Sequence, residues 1–102
     1  MTPPDKPAAK RELEDLEAVF SALANASRRH ILMVLHFRGG EMTAGEIAGR
    51  FGCSWPTTTR HLGVLLKAGL VDVEQQGRQR TYRLNRDRLT RVSGGWLKNF
   101  AQ

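Results

Sequence analysis

Residues 54–62, SWPTTTRHL, bring four hydroxyl side chains, one arginine and one histidine into nine positions. Hydroxyl and guanidinium groups hydrogen-bond to phosphate oxygens and to the edges of nucleic-acid bases. The residues that follow, HLGVLLKAGL, have the apolar spacing of a helix, although three consecutive β-branched threonines are weak helix formers. The stretch therefore predicts a helix whose first turns carry groups able to contact a polyanion.

The predicted helix has one polar stripe that faces away from the core. Leu62 is taken as the core direction, and each residue advances the direction by about 100°. The outward residues are then Thr57, Arg60, Val64 and Lys67. Arg60 can fork onto guanine, Thr57 can meet base edges and Val64 can touch a thymine methyl group. Lys67 suits a phosphate, and the stripe fits a DNA major groove, although a solvated helix face would carry similar residues.

The start of the helix supplies further candidates for contact with DNA. Ser54 is predicted to be the N-cap, and Pro56 lies in the first turn, where its missing N–H costs nothing. Thr59 lies at the boundary of the core and can reach a phosphate or cap its own helix. His61 lies on the flank of the helix, where we expect it near the phosphate edge.

Two residues of the stretch are predicted to point inward. Thr58 faces the core, and we expect its hydroxyl to bond to a carbonyl one turn earlier. Trp55 is expected to pack against the preceding helix, while a position on the sugar-phosphate backbone stays open because the residue lies at the helix start. Thr58 is therefore not expected to read a base.

Apolar periodicity and capping residues predict the elements that would position this helix. The predicted helices, in chain order, are 9–25, 27–38, 44–50, 55–68 and 86–102. Ser27 is the expected cap of the second helix, and Thr43 with Glu46 forms a capping box before the third. A turn of about three to four residues separates the third and fourth helices, which is the spacing of a helix-turn-helix.

Residues 71–84 alternate apolar and polar side chains on both sides of Gly77, which predicts a β-hairpin with a basic returning strand. A hairpin after a helix-turn-helix is a wing. Arg78 and Arg80 could reach the minor groove or the flanking phosphates, with Arg83 behind them, or they could merely keep the hairpin edge soluble. The predicted fold class is mostly α with a small β-hairpin, a winged helix-turn-helix of order α-α-α-α-β-β-α.

The chain of 102 residues fits one small domain. We expect residues 1–8 to form a disordered N-terminal arm and residues 9–102 to form the DNA-binding and dimerisation domain. The net charge is +6, and it is unevenly spread, because residues 27–102 carry thirteen Lys and Arg against five Asp and Glu. This basic body favours a polyanionic partner, most simply double-stranded DNA.

Several classes of protein and site are not supported by the sequence. Cys53 is the single cysteine, so no intrachain disulfide is possible, which fits the cytoplasm. We expect Cys53 to be a small core residue, with a redox role as the alternative. No apolar run is long enough to cross a membrane. No catalytic motif, cofactor or metal site is expected, because the sequence has no phosphate-binding loop and His30 and His36 lie too far apart to share a metal.

The motifs ALANASRRHILMVL and TAGEIAGRFGCSWPTTTRHLGVLLKAGLVDVEQQGRQRTYRL resemble the ArsR-type (ArsR/SmtB) winged helix-turn-helix repressors over about residues 18–85. Matching features include Glu46-Ile47-Ala48, Arg60-His61-Leu62, Ala68-Gly69-Leu70-Val71, Gly77-Arg78 and Tyr82. Two departures are Thr58 and Thr59, where the family has Val and Ser. The usual metal-binding cysteine pair of the family and its terminal-helix histidines are missing from the sequence.

The resemblance implies a homodimer that binds an inverted-repeat operator and represses transcription, with the first and last helices as the dimer interface. The residues that fit that interface are Leu13, Leu16, Phe20, Leu89, Val92, Trp96 and Phe100. A winged-helix module that docks another protein without reading DNA is the alternative, since fold does not fix function. An effector would leave no motif in the sequence.

Overall fold

The computed structural model describes residues 6–52 and 54–101. The elements, in chain order, are α1 (Lys6–Leu23), α2 (Ala26–Phe37), β1 (Glu41–Thr43), α3 (Ala44–Arg50), α4 (Trp55–Lys67), β2 (Val71–Gln76), β3 (Gln79–Leu84) and α5 (Arg86–Leu97). A short 3-10 turn, Lys98–Phe100, follows α5. The structure confirms the predicted fold class, five helices with a hairpin between the fourth and fifth, and adds one strand to it.

Several predicted helix boundaries were wrong. Because α1 begins at Lys6, residues 6–8 are helical and do not belong to a disordered arm, while residues 1–5 lie outside the described part of the chain. Asn25, and not Ser27, caps α2, since its side chain accepts a hydrogen bond from the Arg28 amide at 3.2 Å. Asn and Ser are equally good caps, so the sequence could not separate them. At the other end, α5 stops at Leu97.

The strand that sequence analysis missed is β1. It pairs antiparallel with β3, which also pairs with β2, so the sheet order is β1-β3-β2. Met42 of β1 lies opposite Tyr82 of β3, which lies opposite Val73 of β2. The strand has three residues and follows two glycines, which is too short to show a period of two in the sequence.

The core lies where α1–α4 meet the sheet. Its fully buried side chains include Leu35 of α2, Ile47 of α3 and Leu65 of α4. The fourth helix contacts α1, α2, α3 and β2, so it is held from several directions. This packing fixes the orientation of α4 relative to the wing.

Hydrogen bonds from Arg88 hold the end of α4 against α5 and α1. Arg88 of α5 donates from Nε to the Ala68 carbonyl at 2.8 Å and from Nη2 to Asp15 at 3.1 Å. Gly69 follows the end of α4 with a φ of +76°, and a Cβ atom placed there would clash with the side chain of Arg88. Glycine is therefore required twice, by the backbone conformation and by the close approach of Arg88.

Candidate nucleic-acid interface

The two helices of the helix-turn-helix begin with the predicted caps. The Thr43 hydroxyl accepts from the Glu46 amide at 3.2 Å, and Glu46 accepts from the Thr43 amide at 3.1 Å, which completes the capping box of α3. The Glu46 carboxylate accepts from both the Thr43 amide and the Thr43 hydroxyl, and these two hydrogen bonds lower its pKa. Ser54 caps α4 by accepting from the Thr57 amide at 3.3 Å, with Pro56 in the first turn. The polar residues at the start of α4 therefore stabilise its first turn.

One face of α4 is exposed along its whole length. Its buried side chains are Thr58, Leu62 and Leu65. Its exposed residues are Trp55, Pro56, Thr59, Arg60, Gly63, Leu66 and Lys67. The centre of the buried face lies about 60° from Leu62, in the direction of Leu65. The exposed face is rotated in the same sense from the predicted one and is centred near Gly63.

This rotation overturns three predicted directions. Val64 was expected to face outward, but it is half-buried and packs against the core. Thr57 is half-buried as well, and its Oγ1 accepts a hydrogen bond from Ser54 at 3.0 Å. Trp55 was expected to pack against α3, but its side chain is 55% exposed. The buried row consists of Thr58, Leu62, Leu65 and Ala68. Leu62 was the wrong reference direction because it lies at one edge of this row.

His61 faces the rest of the protein and contacts Arg28 of α2, with Arg28 Nη1 3.5 Å from His61 Nδ1. Arg28 also donates to the Ala22 carbonyl at 2.8 Å and to the Ser21 carbonyl at 3.1 Å. Arg28 thus ties the end of α1 to α4. Burial lowers the pKa of His61, and the nearby charges of Arg28 and Arg60 lower it further. Sequence analysis did not predict this bridge, because its partners lie far apart along the chain.

Thr58 is almost fully buried, at 2% exposure, as predicted. Its hydroxyl has no hydrogen-bond partner among the described residues, so the expected bond to a carbonyl one turn earlier is wrong. A buried hydroxyl without a partner costs free energy.

The wing contains arginines of two kinds, one paired with carboxylates and two without such a partner among the described residues. Arg83 lies between Glu41, at 2.9 Å, and Glu74, at 2.5 Å, and these carboxylates raise its pKa. Arg78 and Arg80 are exposed near the tip. Within residues 6–52 and 54–101, neither of them forms an ion pair with a carboxylate, and neither do Arg60 and Lys67 of α4.

A second surface lies where α1 packs against α5. The rings of Phe20 and Trp96 pack edge to face with their centroids 5.3 Å apart, and the ring centroids of Trp96 and Phe100 are 4.8 Å apart. Leu13 is 64% exposed and Phe100 68% exposed. A groove of about 650 Å³ between the two helices is lined by Leu13, Leu16, Val92 and Trp96, among others. No residue of α5 is buried. Leu89 and Val92, placed in the same predicted set, are half-buried and pack against the core.

Known proteins share both the sequence and this architecture. A family model described as a helix-turn-helix domain matches residues 23–74. The chain is 39% identical to the transcriptional repressor SdpR of Bacillus subtilis over 82 residues, which are 80% of this chain and 88% of that protein. The chain belongs to the ArsR-type family of winged helix-turn-helix transcriptional regulators.

Solved structures of the ArsR-type family superpose on this fold. The crystal structure of an ArsR family transcriptional regulator has a TM-score of 0.76 and 31% identity, and the match covers 85% of this chain and 87% of that one. The solution structure of a homodimeric winged helix-turn-helix DNA-binding domain from Mycobacterium bovis has a TM-score of 0.72 and 28% identity, with 98% and 90% covered. These relatives of the ArsR-type chain are transcriptional regulators.

The described residues offer no ready place for a metal. Within residues 6–52 and 54–101, no three side chains of His, Cys, Asp or Glu lie close enough to hold one ion. Cys53, expected in the core, lies outside the described residues. None of the helices in the described ranges has the length and hydropathy needed to cross a bilayer.

Proposed function

We propose that this chain is a sequence-specific DNA-binding repressor of transcription, acting as a homodimer on an inverted-repeat operator without a metal ion. The observation that carries this proposal is the exposed face of α4, which presents Arg60 and Lys67 and includes no carboxylate. The wing adds Arg78 and Arg80. The similarity of the chain to SdpR, a repressor, and to the homodimeric DNA-binding domain from Mycobacterium bovis supports the same function.

In this proposal, α4 enters the major groove with Gly63 near the centre of the contact. A glycine without a side chain allows the helix backbone to approach the DNA closely, and nothing lies within 4 Å of a Cβ placed there. Arg60 forks onto a guanine, and Thr59 contacts a base or phosphate on the same face. Lys67, one turn or more further along, contacts a phosphate.

The residues of the predicted interface then divide into three roles. Ser54 and Pro56 place the helix N-terminus, whose amide groups favour a phosphate. Thr57, Val64 and His61, because they are half-buried, hold the helix in position and make at most edge contacts. Arg78 and Arg80 of the wing reach the minor groove or the flanking phosphates.

Trp55 joins the interface as a new member, because its indole is exposed at the first residue of α4. An exposed aromatic ring beside a helix N-terminus can lie on the sugar-phosphate backbone. Trp96 is the second tryptophan of the chain, so the Trp96→Phe variant leaves Trp55 as the single reporter. Its fluorescence should change on binding of operator DNA. An unchanged spectrum at saturating DNA would remove Trp55 from the interface.

The DNA-binding proposal is tested by gel shift on the DNA upstream of its own gene, in parallel with random DNA of equal length. Arg60→Ala should lose about tenfold or more in affinity for the operator and should relax specificity. Lys67→Ala should weaken binding to all sequences and reduce the salt dependence. Arg11→Ala, an exposed arginine of α1, is the matched control and should bind as the unchanged protein does.

Two results would contradict sequence-specific recognition by α4. Equal affinity for operator and random DNA at moderate salt would remove specificity. Operator binding that survives both Arg60→Ala and Lys67→Ala would show that α4 is not the reading helix. If no genomic DNA binds, the exposed Trp55 and Leu66 on the same face favour the alternative, a docking surface for another protein.

The homodimer is proposed to form through α1 and α5. Leu13, Trp96 and Phe100 are exposed in the protomer, and a small domain seldom leaves so much apolar area uncovered. In sedimentation velocity, Leu13→Glu and Phe100→Glu should give monomers with unchanged helix content by circular dichroism. Trp55→Glu, which introduces the same charge on a different exposed apolar residue, should remain dimeric. A dimer that tolerates both changes would place the interface elsewhere.

Metal independence has its own test. Operator affinity should be the same after dialysis against a chelator and after addition of Zn²⁺. A change of about tenfold in either condition would reveal a metal-dependent regulator.

A further inference from the structure

A second groove lies between α2 and α5, where Leu84 at the end of β3 also lines it. Its volume is about 560 Å³, within the range of about 300–1,000 Å³ that small-molecule sites occupy. Leu32, Leu84 and Leu89 form its floor and pack on the core. Met33 and Phe37 form its outer wall and are 50% and 75% exposed. The groove is therefore an open apolar surface with a fixed floor.

The rim of this groove is basic. Its polar lining residues include Arg29, His36 and Arg86, and no Asp or Glu is among them. Arg29 donates to the Leu23 carbonyl at 2.7 Å, and a guanidinium N–H of Arg86 points at Nδ1 of His36. Within the described ranges, neither arginine pairs with a carboxylate.

Other arginines nearby do have carboxylate partners. Arg88 pairs with Asp15, and Arg91 pairs with Asp87. Arg29 and Arg86 at the groove differ from Arg88 and Arg91 in this respect. Among the described residues, no carboxylate accepts a hydrogen bond from Arg29 or Arg86. Arg86 is also the first residue of α5, where the helix dipole adds positive potential.

We propose that this groove binds a free organic carboxylate with an apolar body, of which a medium-chain fatty acid is the simplest example. The carboxylate lies on Arg86, whose planar fork matches its two oxygens. The apolar body lies along Met33 and Phe37, and the flexible thioether of Met33 adapts to its shape. The proposal does not depend on DNA binding, since Met33, Phe37 and Arg86, which would hold the ligand, lie outside α4 and the β2–β3 hairpin.

Isothermal titration of the full chain with decanoate tests the proposal. Decanoate should bind once per chain, and decyltrimethylammonium, which has the same apolar chain and the opposite charge, should bind about tenfold more weakly. Arg86→Gln should weaken decanoate binding by about tenfold, the loss expected for a charge-assisted hydrogen bond. Arg11→Gln, on α1, is the matched control and should leave the affinity unchanged.

A second variant keeps the test independent of the Arg86 contact with His36. Met33→Glu places a carboxylate in the exposed wall and should also abolish decanoate binding, whereas Leu66→Glu on α4 should not. Thermal melts followed by circular dichroism establish that each variant is folded. Equal binding of the cationic and anionic probes, or unchanged decanoate affinity in folded Arg86→Gln, would overturn the proposal.

Two other occupants of the groove give different results. If Met33→Glu converts a dimer to a monomer in sedimentation, the groove is covered by a second copy of the chain and the proposal fails. If the chain co-sediments with phosphatidylglycerol vesicles and Arg86→Gln abolishes this, while free decanoate does not bind, the groove takes a lipid surface and the proposal also fails.

Discussion

The helix-turn-helix and the α1–α5 face are built in opposite ways. In the helix-turn-helix, α3 and α4 are capped by side chains, and Ile47 and Leu65 are fully buried within one protomer. In the α1–α5 face, no residue of α5 is buried, and Leu13 and Phe100 are mostly exposed. The first region has its complete core in a single chain, whereas the second presents apolar side chains without a cover.

The difference separates two sources of stability. A core that closes within the chain should resist unfolding at any protein concentration, whereas an apolar face that closes only against a partner should add stability that depends on concentration. The surface that carries Arg60 and Lys67 rests on the first region. Substitutions can therefore change the exposed face of α4 and the α1–α5 face separately, and the following predictions use that separation.

The largest effect is expected from truncating the closed core. Leu65→Ala should lower the free energy of unfolding by about 2–5 kcal/mol, because it removes buried methyl groups and leaves a cavity. Leu13→Ala removes the same atoms from an exposed side chain and should cost less than about 0.5 kcal/mol in dilute protein. Urea unfolding at two protein concentrations measures both. Equal costs for the two variants would abolish the distinction between the regions.

The joint between the two regions should give the next largest effect. Gly69→Ala should destabilise the fold by about 1–3 kcal/mol, because alanine is strained at this φ and its Cβ meets Arg88. Gly63→Ala, in the exposed face of α4, is the matched change and should stabilise the fold by about 0.5–1 kcal/mol. Thermal unfolding measures both. A neutral Gly69→Ala would show that Arg88 moves aside freely.

The closed region was largely predictable from the sequence, because its signals are local. Thr43 with Glu46 and Ser54 with Pro56 lie next to the helices they begin, and Gly77 marks the turn of the wing. The strand β1 was missed because three residues carry no periodic signal, and its formation depends on pairing with β3.

The orientation of α4 was only partly predictable, because it depends on contacts between distant parts of the chain. Both Leu62 and Leu65 are compatible with a core-facing row, and only packing against α1, α2, α3 and β2 decides which is central. The error of about 60° moved Trp55 outward and Val64 inward. Arg28 and Arg88 were not assigned as bridges, because each spans elements that are remote in sequence.

A smaller effect, of opposite sign, is expected at Thr58 inside the closed core. Its buried hydroxyl has no partner among the described residues. Thr58→Val keeps the shape and removes the polar atom, so it should raise the free energy of unfolding by about 1 kcal/mol. Thr58→Ser, which keeps the hydroxyl and loses the methyl group, is the control and should destabilise. A loss of stability in Thr58→Val would mean that the hydroxyl has a hydrogen-bond partner, such as a buried water.

The smallest effect concerns His61, which connects α4 to Arg28. Because burial and the two arginines lower its pKa in the fold, the unfolded chain binds more protons than the folded chain just below pH 6.5. Stability should therefore fall as the pH drops from 6.5 toward the lower folded pKa. His61→Gln should make this slope shallower in urea unfolding at stepped pH. An unchanged slope in His61→Gln would mean that folding does not lower the pKa of His61.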